Sequence, residues 1–168
     1  MKKIIDLVNS EITEVVGCTE PAAIAFAFSA IAHMRNSNIA HRGLRAKLYL
    51  SREVYRNAKI VGIPGTSERG IRPAAALGIY SNIFSLSVFS EITKKQLMNA
   101  ERLMRRKNWL KIIVMDRKGI YIRAEMGTPD GIYRSVIKNK HNNLVGVYLN
   151  GRKIYRKKPQ KICRIKNM

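Results

Sequence analysis

The sequence predicts an α+β fold: N-terminal helices, then a mostly antiparallel β-sheet formed largely by the second half. Three observations carry this reading. Apolar residues recur mainly at helical spacing through the first hundred positions. After Trp109 the period changes from helical to two. Asn150-Gly151, a tight-hairpin dipeptide, then stands between two such alternating runs.

Residues 3–16 place Ile4, Ile5, Leu7, Val8, Ile12, Val15 and Val16 along one helical face, and Gly17 is placed to stop that helix. Thr19-Glu20-Pro21 opens the next. Thr19 suits a cap, Glu20 the positive end of the dipole and Pro21 the first turn. This second helix, Pro21 to about Met34, is alanine-rich and apolar nearly all round, so it belongs at the centre. Leu44 to Leu50 alternates apolar and basic residues, as a half-buried strand does. Lys59 to Ile63 is a short apolar run ending in the turn Pro64-Gly65-Thr66. A third helix opens at Arg72-Pro73, and a fourth is expected from a Ser90 cap to about Lys107. Leu110–Met115 and Ile120–Met126 read as a hairpin around Arg117-Lys118-Gly119. Ile132–Ile137, Leu144–Leu149 and Lys153–Tyr155 read as further strands. One domain is expected over residues 1–156, followed by a basic tail over 157–168.

The 168 residues carry 32 Lys+Arg against 11 Asp+Glu, a net charge of +21. Residues 1–100 hold 13 basic and 7 acidic residues, and 101–168 hold 19 and 4. The second part is therefore the cationic one, which suits nucleic acid, an anionic surface or an acidic partner. Two cysteines are too few for a disulfide framework, a four-cysteine zinc site or an all-cysteine iron–sulfur site. The longest apolar stretch, Pro21 to Ala32, is too short to span a bilayer. Asp6 and Glu11 interrupt the N-terminal segment, so it does not read as a signal peptide. The expectation is a cytoplasmic protein with no membrane partner.

Three segments carry chemistry-bearing residues. Cys18, just before a helix N-terminus, faces unpaired N–H groups that favour thiolate, as in an acid, base or nucleophile; position alone favours the other reading, a small buried hydrophobe. Pro64-Gly65-Thr66, followed by Gly70 and a helix, either offers N–H donors to a carboxylate or phosphate, or is an ordinary turn. It has neither the Gly-Lys-Ser/Thr ending of a nucleotide loop nor a dinucleotide glycine pattern. His141-Asn142-Asn143 lies between two strands, where His141 is either a proton carrier or a solvated turn residue. The three histidines, His33, His41 and His141, show no metal-ligand spacing, and Cys163 reads as structural or incidental.

Taken in order, Gly17-Cys18-Thr19-Glu20-Pro21, Arg56-Asn57, Ile63-Pro64-Gly65-Thr66, Ala74-Ala75-Ala76-Leu77-Gly78 and His141-Asn142-Asn143 resemble the N-terminal region of the L-cysteine desulfidase family. That family is related to the iron–sulfur L-serine dehydratases, and the likeness runs over residues 1 to about 156. The resemblance implies a lyase converting a small amino acid, L-cysteine, to pyruvate, ammonia and sulfide. It implies catalytic roles for Cys18 and His141, and substrate contacts from Thr19, Glu20, Asn57, Pro64, Gly65, Thr66 and Asn143, with Asn142 replacing the family's Thr. It also implies a [4Fe–4S] cluster. Family members hold that cluster in a C-terminal domain, so here it is expected on a partner subunit, with no cofactor or metal bound by this chain alone. The expected partners are the amino acid and a cluster-bearing subunit or further copies of the chain. The alternative is an inactive homologue serving as an amino-acid sensor or as a nucleic-acid or anionic-partner module. Arg102, Arg105, Arg106, Lys107 and Lys111 would serve that module, with Arg152, Lys153, Arg156, Lys157, Lys158 and Lys161, and with Tyr121, Tyr133, Tyr148 and Tyr155 among the strands.

Overall fold

A computed structural model describes residues 19–35 and 43–155. The expected first helix, the Gly17 stop, Cys18, Cys163 and the basic tail lie outside the described residues. Helix α1 (Thr19–Arg35) buries every residue from Pro21 to Ile31, which is what an apolar, alanine-rich run with no polar stripe must do. It packs on one face of a six-stranded sheet and is covered in turn by other helices. The strands are β1 (Arg45–Ser51), β2 (Leu110–Met115), β3 (Tyr121–Thr128), β4 (Gly131–Lys138), β5 (Leu144–Leu149) and β6 (Arg152–Tyr155). Five of the six come from the second part of the chain, and all neighbours but one are antiparallel.

The sheet order is β2-β1-β3-β4-β5-β6. The expected hairpin between 110–115 and 120–126 does not form. Instead β1 lies between these strands, parallel to β2 and antiparallel to β3. The reason is burial. Leu48 and Leu50 of β1 are fully buried and need a neighbour on each side, whereas β2 keeps Lys111 and Val114 exposed and suits an edge. A parallel β1–β2 pair requires a long crossover. Helices α2 (Arg52–Ala58), α3 (Ile71–Tyr80) and α4 (Lys94–Met104) supply it. The short α2 was not foreseen.

Helix α4 starts later than expected. Thr93, not Ser90, caps it: the Thr93 hydroxyl accepts from the Gln96 N–H at 3.2 Å, and Gln96 Oε1 accepts from the Thr93 N–H at 2.9 Å. The helix ends at Met104 rather than near Lys107. Two glycines set the path of α3. Gly70 has φ +87°, and any Cβ there would run into the Lys59 carbonyl. Gly78 sits where α3 crosses α1 so closely that a Cβ would strike the Ala25 backbone. Asn150 and Gly151, both at positive φ, make the β5–β6 turn as expected.

The loop after α3 carries Phe84 back onto α1 and β6. Its ring lies edge-on to Phe26 at 5.5 Å and to Tyr155 at 5.4 Å, and stacks on His33 at 4.9 Å. A buried hydroxyl ties helix to sheet: Ser135 Oγ donates to the Ala27 carbonyl at 2.6 Å. At the far end of α1, Arg35 pairs with Asp130 of the β3–β4 turn at 3.2 Å. No helix among the described residues is long and apolar enough to cross a membrane.

Candidate functional site

The N-terminal turn of α1 is where the separated motifs meet. Glu20 stands in this first turn, where the exposed N–H groups and the helix dipole favour a carboxylate. Asn57, near the end of α2, donates its side-chain N–H to Glu20 Oε1 at 3.1 Å. His141, from the β4–β5 loop, brings Nε2 to 3.8 Å from the same oxygen. Glu20 and His141 keep only 16% and 23% of their side-chain surface, so their attraction is less screened than that of a surface pair. His141 Nε2 is itself shut off from solvent and has no hydrogen-bond partner; at 3.8 Å the contact with Glu20 is an ion pair when the imidazole is protonated, not a hydrogen bond. Asn57 holds the carboxylate from one side and His141 approaches it from another.

The loop that carries His141 is built by its own polar groups. Asn143 donates from its side chain to the Lys138 carbonyl at 2.9 Å, and its backbone N–H donates to the Lys140 carbonyl at 3.0 Å. Asn139, at φ 72°, turns the chain and donates its N–H to the Ile120 carbonyl at 2.9 Å. Asn143 thus shapes the loop that presents His141. Thr19 is the first residue of α1 and half-buried. Cys18 lies outside the described residues, two positions before Glu20 in the chain.

Pro64, Gly65 and Thr66 form a tight turn with Gly65 at φ +75°. The Thr66 N–H and hydroxyl both donate to the Ile63 carbonyl, at 3.2 and 3.0 Å, and the hydroxyl accepts from the Glu68 N–H at 3.1 Å. An isolated bridge between Gly62 and Arg69 closes the loop beneath it. These contacts are internal to the loop. Of the residues singled out in the sequence, Glu20, Asn57 and His141 are the three joined by direct contacts. Among the described residues no three His, Cys, Asp or Glu side chains gather as metal ligands.

Sequence reasoning passed over a second grouping, on the face of the sheet away from α1. There Glu125 binds Arg134 at 2.9 Å and Arg123 at 3.5 Å, and Arg123 lies 3.6 Å over the Tyr49 ring. The signal was present in the strands as charged residues at alternate positions, Arg45 and Lys47, then Arg123 and Glu125.

Comparison with known proteins places the chain near one set of relatives. It is 32% identical over 161 residues to a UPF0597 protein of Clostridium tetani, covering 94% of this chain and 37% of that protein. It is 30% identical over 155 residues to a UPF0597 protein of Parabacteroides distasonis, covering 89% of this chain and 34% of the relative. A UPF0597 protein of Caldanaerobacter subterraneus is 27% identical over 142 residues, covering 83% and 33%. The chain thus spans about a third of the length of the curated relatives it matches. No family model and no solved structure matches it. These relatives correct the family read from the motifs: they bear the name UPF0597, not that of the L-cysteine desulfidases, and their name states no activity. Short Gly, Pro and Ala patterns recur wherever a loop feeds a helix, so even their shared order does not single out that family.

Proposed function

We propose that the chain is the amino-acid-holding and proton-moving part of a lyase for a small amino acid, working within a longer enzyme or beside a second subunit. The observation that supports it is the meeting of Glu20, Asn57 and His141 from three distant segments, at 3.1 and 3.8 Å. A lyase of this kind takes the α-proton of the amino acid. The C–H bonding pair becomes the new Cα–Cβ double bond, and the group on Cβ leaves with its own bonding pair and collects a proton. The site thus needs a base and an acid. His141 is the base in this reading. Glu20 steadies the imidazolium that forms, and Asn57 fixes the carboxylate so that no reorganisation is needed when the charge appears. Cys18, two residues from Glu20, is assigned as the proton donor to the leaving group. Thr19 and Gly65 are assigned to the substrate's carboxylate, with Pro64 and Thr66 shaping the turn that presents Gly65. A [4Fe–4S] cluster, in this reading, would be held outside this chain, on the partner subunit or the rest of a longer enzyme, and would supply Lewis acidity there.

Titration calorimetry of the whole chain with L-serine and L-cysteine tests the holding role. Binding tighter than about 1 mM is expected, weakened at least about tenfold in Glu20→Gln and in His141→Ala. Anaerobic co-purification from the native host, with lyase assay of the complex, tests the chemistry; His141→Ala should abolish turnover there. A complex that turns over equally well with His141→Ala overturns the proton-moving role, and a chain that binds neither amino acid overturns the holding role.

A further inference from the structure

The second face of the sheet carries an ordered row of charge. Register pairs Lys111 of β2 with Lys47 of β1, Lys47 with Glu125 of β3, and Glu125 with Arg134 of β4. Arg134 then pairs with Tyr148 of β5, and Tyr148 with Lys153 of β6. One side chain from each of the six strands therefore lies in a single line across the sheet, about 24 Å long at ordinary strand spacing. Side chains at these positions share a face because residues directly opposite one another point the same way. The other face is the one that α1 covers, through Ser135 and its neighbours.

Four of the six positions are cationic. The one acid, Glu125, is already neutralised by Arg134 and Arg123 and keeps only 12% of its side-chain surface. Lys47 and Lys111 are exposed, Arg134 keeps 43% of its side-chain surface, and Tyr148 is half-exposed with the Lys153 amino group 5.6 Å from its ring. At the Lys111–Lys47 end the face hollows into a cavity of about 490 Å³, lined by Arg45, Lys47, Asn108, Lys111, Glu125 and Ile132.

We infer that this face binds single-stranded nucleic acid, its backbone following the row across the strands and one nucleotide seated in the cavity between Lys47 and Lys111. Three arguments favour that occupant. A line of cations with one neutralised acid complements a polyanion. A protein-docking face is normally depleted in lysine, and this row has three. Tyr148 offers a base a ring to stack on, and Asn108 offers donor and acceptor groups at the cavity, as open sheets do when they read unpaired strands. The site is separate from the Glu20–Asn57–His141 cluster, and the inference does not rest on the lyase reading.

Fluorescence anisotropy of the whole chain with a labelled single-stranded oligouridylate, across a salt series, tests it. The triple variant Lys47→Gln, Lys111→Gln, Arg134→Gln should bind about 100-fold more weakly, and its slope of log affinity on log salt should fall by about 2. A control of equal charge change at the two ends of α4, Lys94→Gln, Lys95→Gln and the C-cap Arg105→Gln, should change affinity by less than about threefold with little change of slope. Tyr148→Ala should cost about tenfold and leave the slope unchanged, because stacking releases no counterions. Circular dichroism confirms that each variant folds. Equal losses in the triple variant and the control overturn the inference, as does preference for duplex over single strand. Equal affinity for polyglutamate assigns the face to an acidic protein and overturns it as well.

Discussion

The two faces of the sheet are made by the same strands and obey opposite rules. Toward α1 stand Ala46, Leu48 and Leu50 from β1 and Ile122, Ala124 and Met126 from β3, all buried, with Ser135 the buried polar residue that reaches the helix. Away from it stand Lys47, Tyr49, Arg123, Glu125 and Arg134, the last four joined by ion pairs and a ring contact. The first face is held by area removed from water, the second by charges that balance one another only in part. The comparison separates the face that holds the fold from the face assigned to a polyanion. Substitutions on the covered face should act on folding, and those on the open face on partners.

The sharpest test of the covered face is Ile122→Ala. The side chain is fully buried against α1 and its neighbours, so truncation leaves a cavity that the surrounding strands cannot close. A loss of about 3 kcal/mol is expected in urea unfolding. A loss below about 1 kcal/mol would show that the face is not packed as described. Gly78→Ala probes the layer behind it. The added methyl meets the Ala25 backbone, which cannot rotate away as a side chain would. About 2 kcal/mol of destabilisation is expected, read as a lower urea midpoint. Ser135→Ala should cost less, about 1 kcal/mol, since it removes one donor from the Ala27 carbonyl and adds no volume.

The covered face was the more legible of the two in the sequence. Pro21 to Ile31 is apolar nearly all round, with Ser29 its one polar residue, so its place at the centre followed from composition alone. The alternation of β1 and the Asn150-Gly151 turn were legible for the same reason: each is a local rule. Pairing was not. β1 and β2 meet across three helices, and no local signal states that Lys47 will stand beside Lys111. Helix α2 escaped notice because seven residues with two buried side chains give almost no period. Glu20, Asn57 and His141 could be singled out one at a time, but their meeting depends on how α1, α2 and the β4–β5 loop pack, which only the fold supplies.

Glu125→Gln separates the two faces most finely, because its two effects have opposite signs. The carboxylate holds Arg134 at 2.9 Å and Arg123 at 3.5 Å, so its loss removes two charge-assisted contacts. Both guanidiniums are partly open to water, which limits the cost to about 1 kcal/mol or less. The amide keeps the volume and one acceptor, and the core on the α1 side is untouched. The same change releases Arg134 in the middle of the row and Arg123 beside it, and removes the row's one negative charge. Affinity for single-stranded nucleic acid should therefore rise, by about threefold to tenfold at moderate salt, while the urea midpoint falls slightly. If Glu125 served only to brace the strands, loosening it would weaken binding along with stability. A parallel fall in both would assign the row to structure, and opposed changes would assign it to binding.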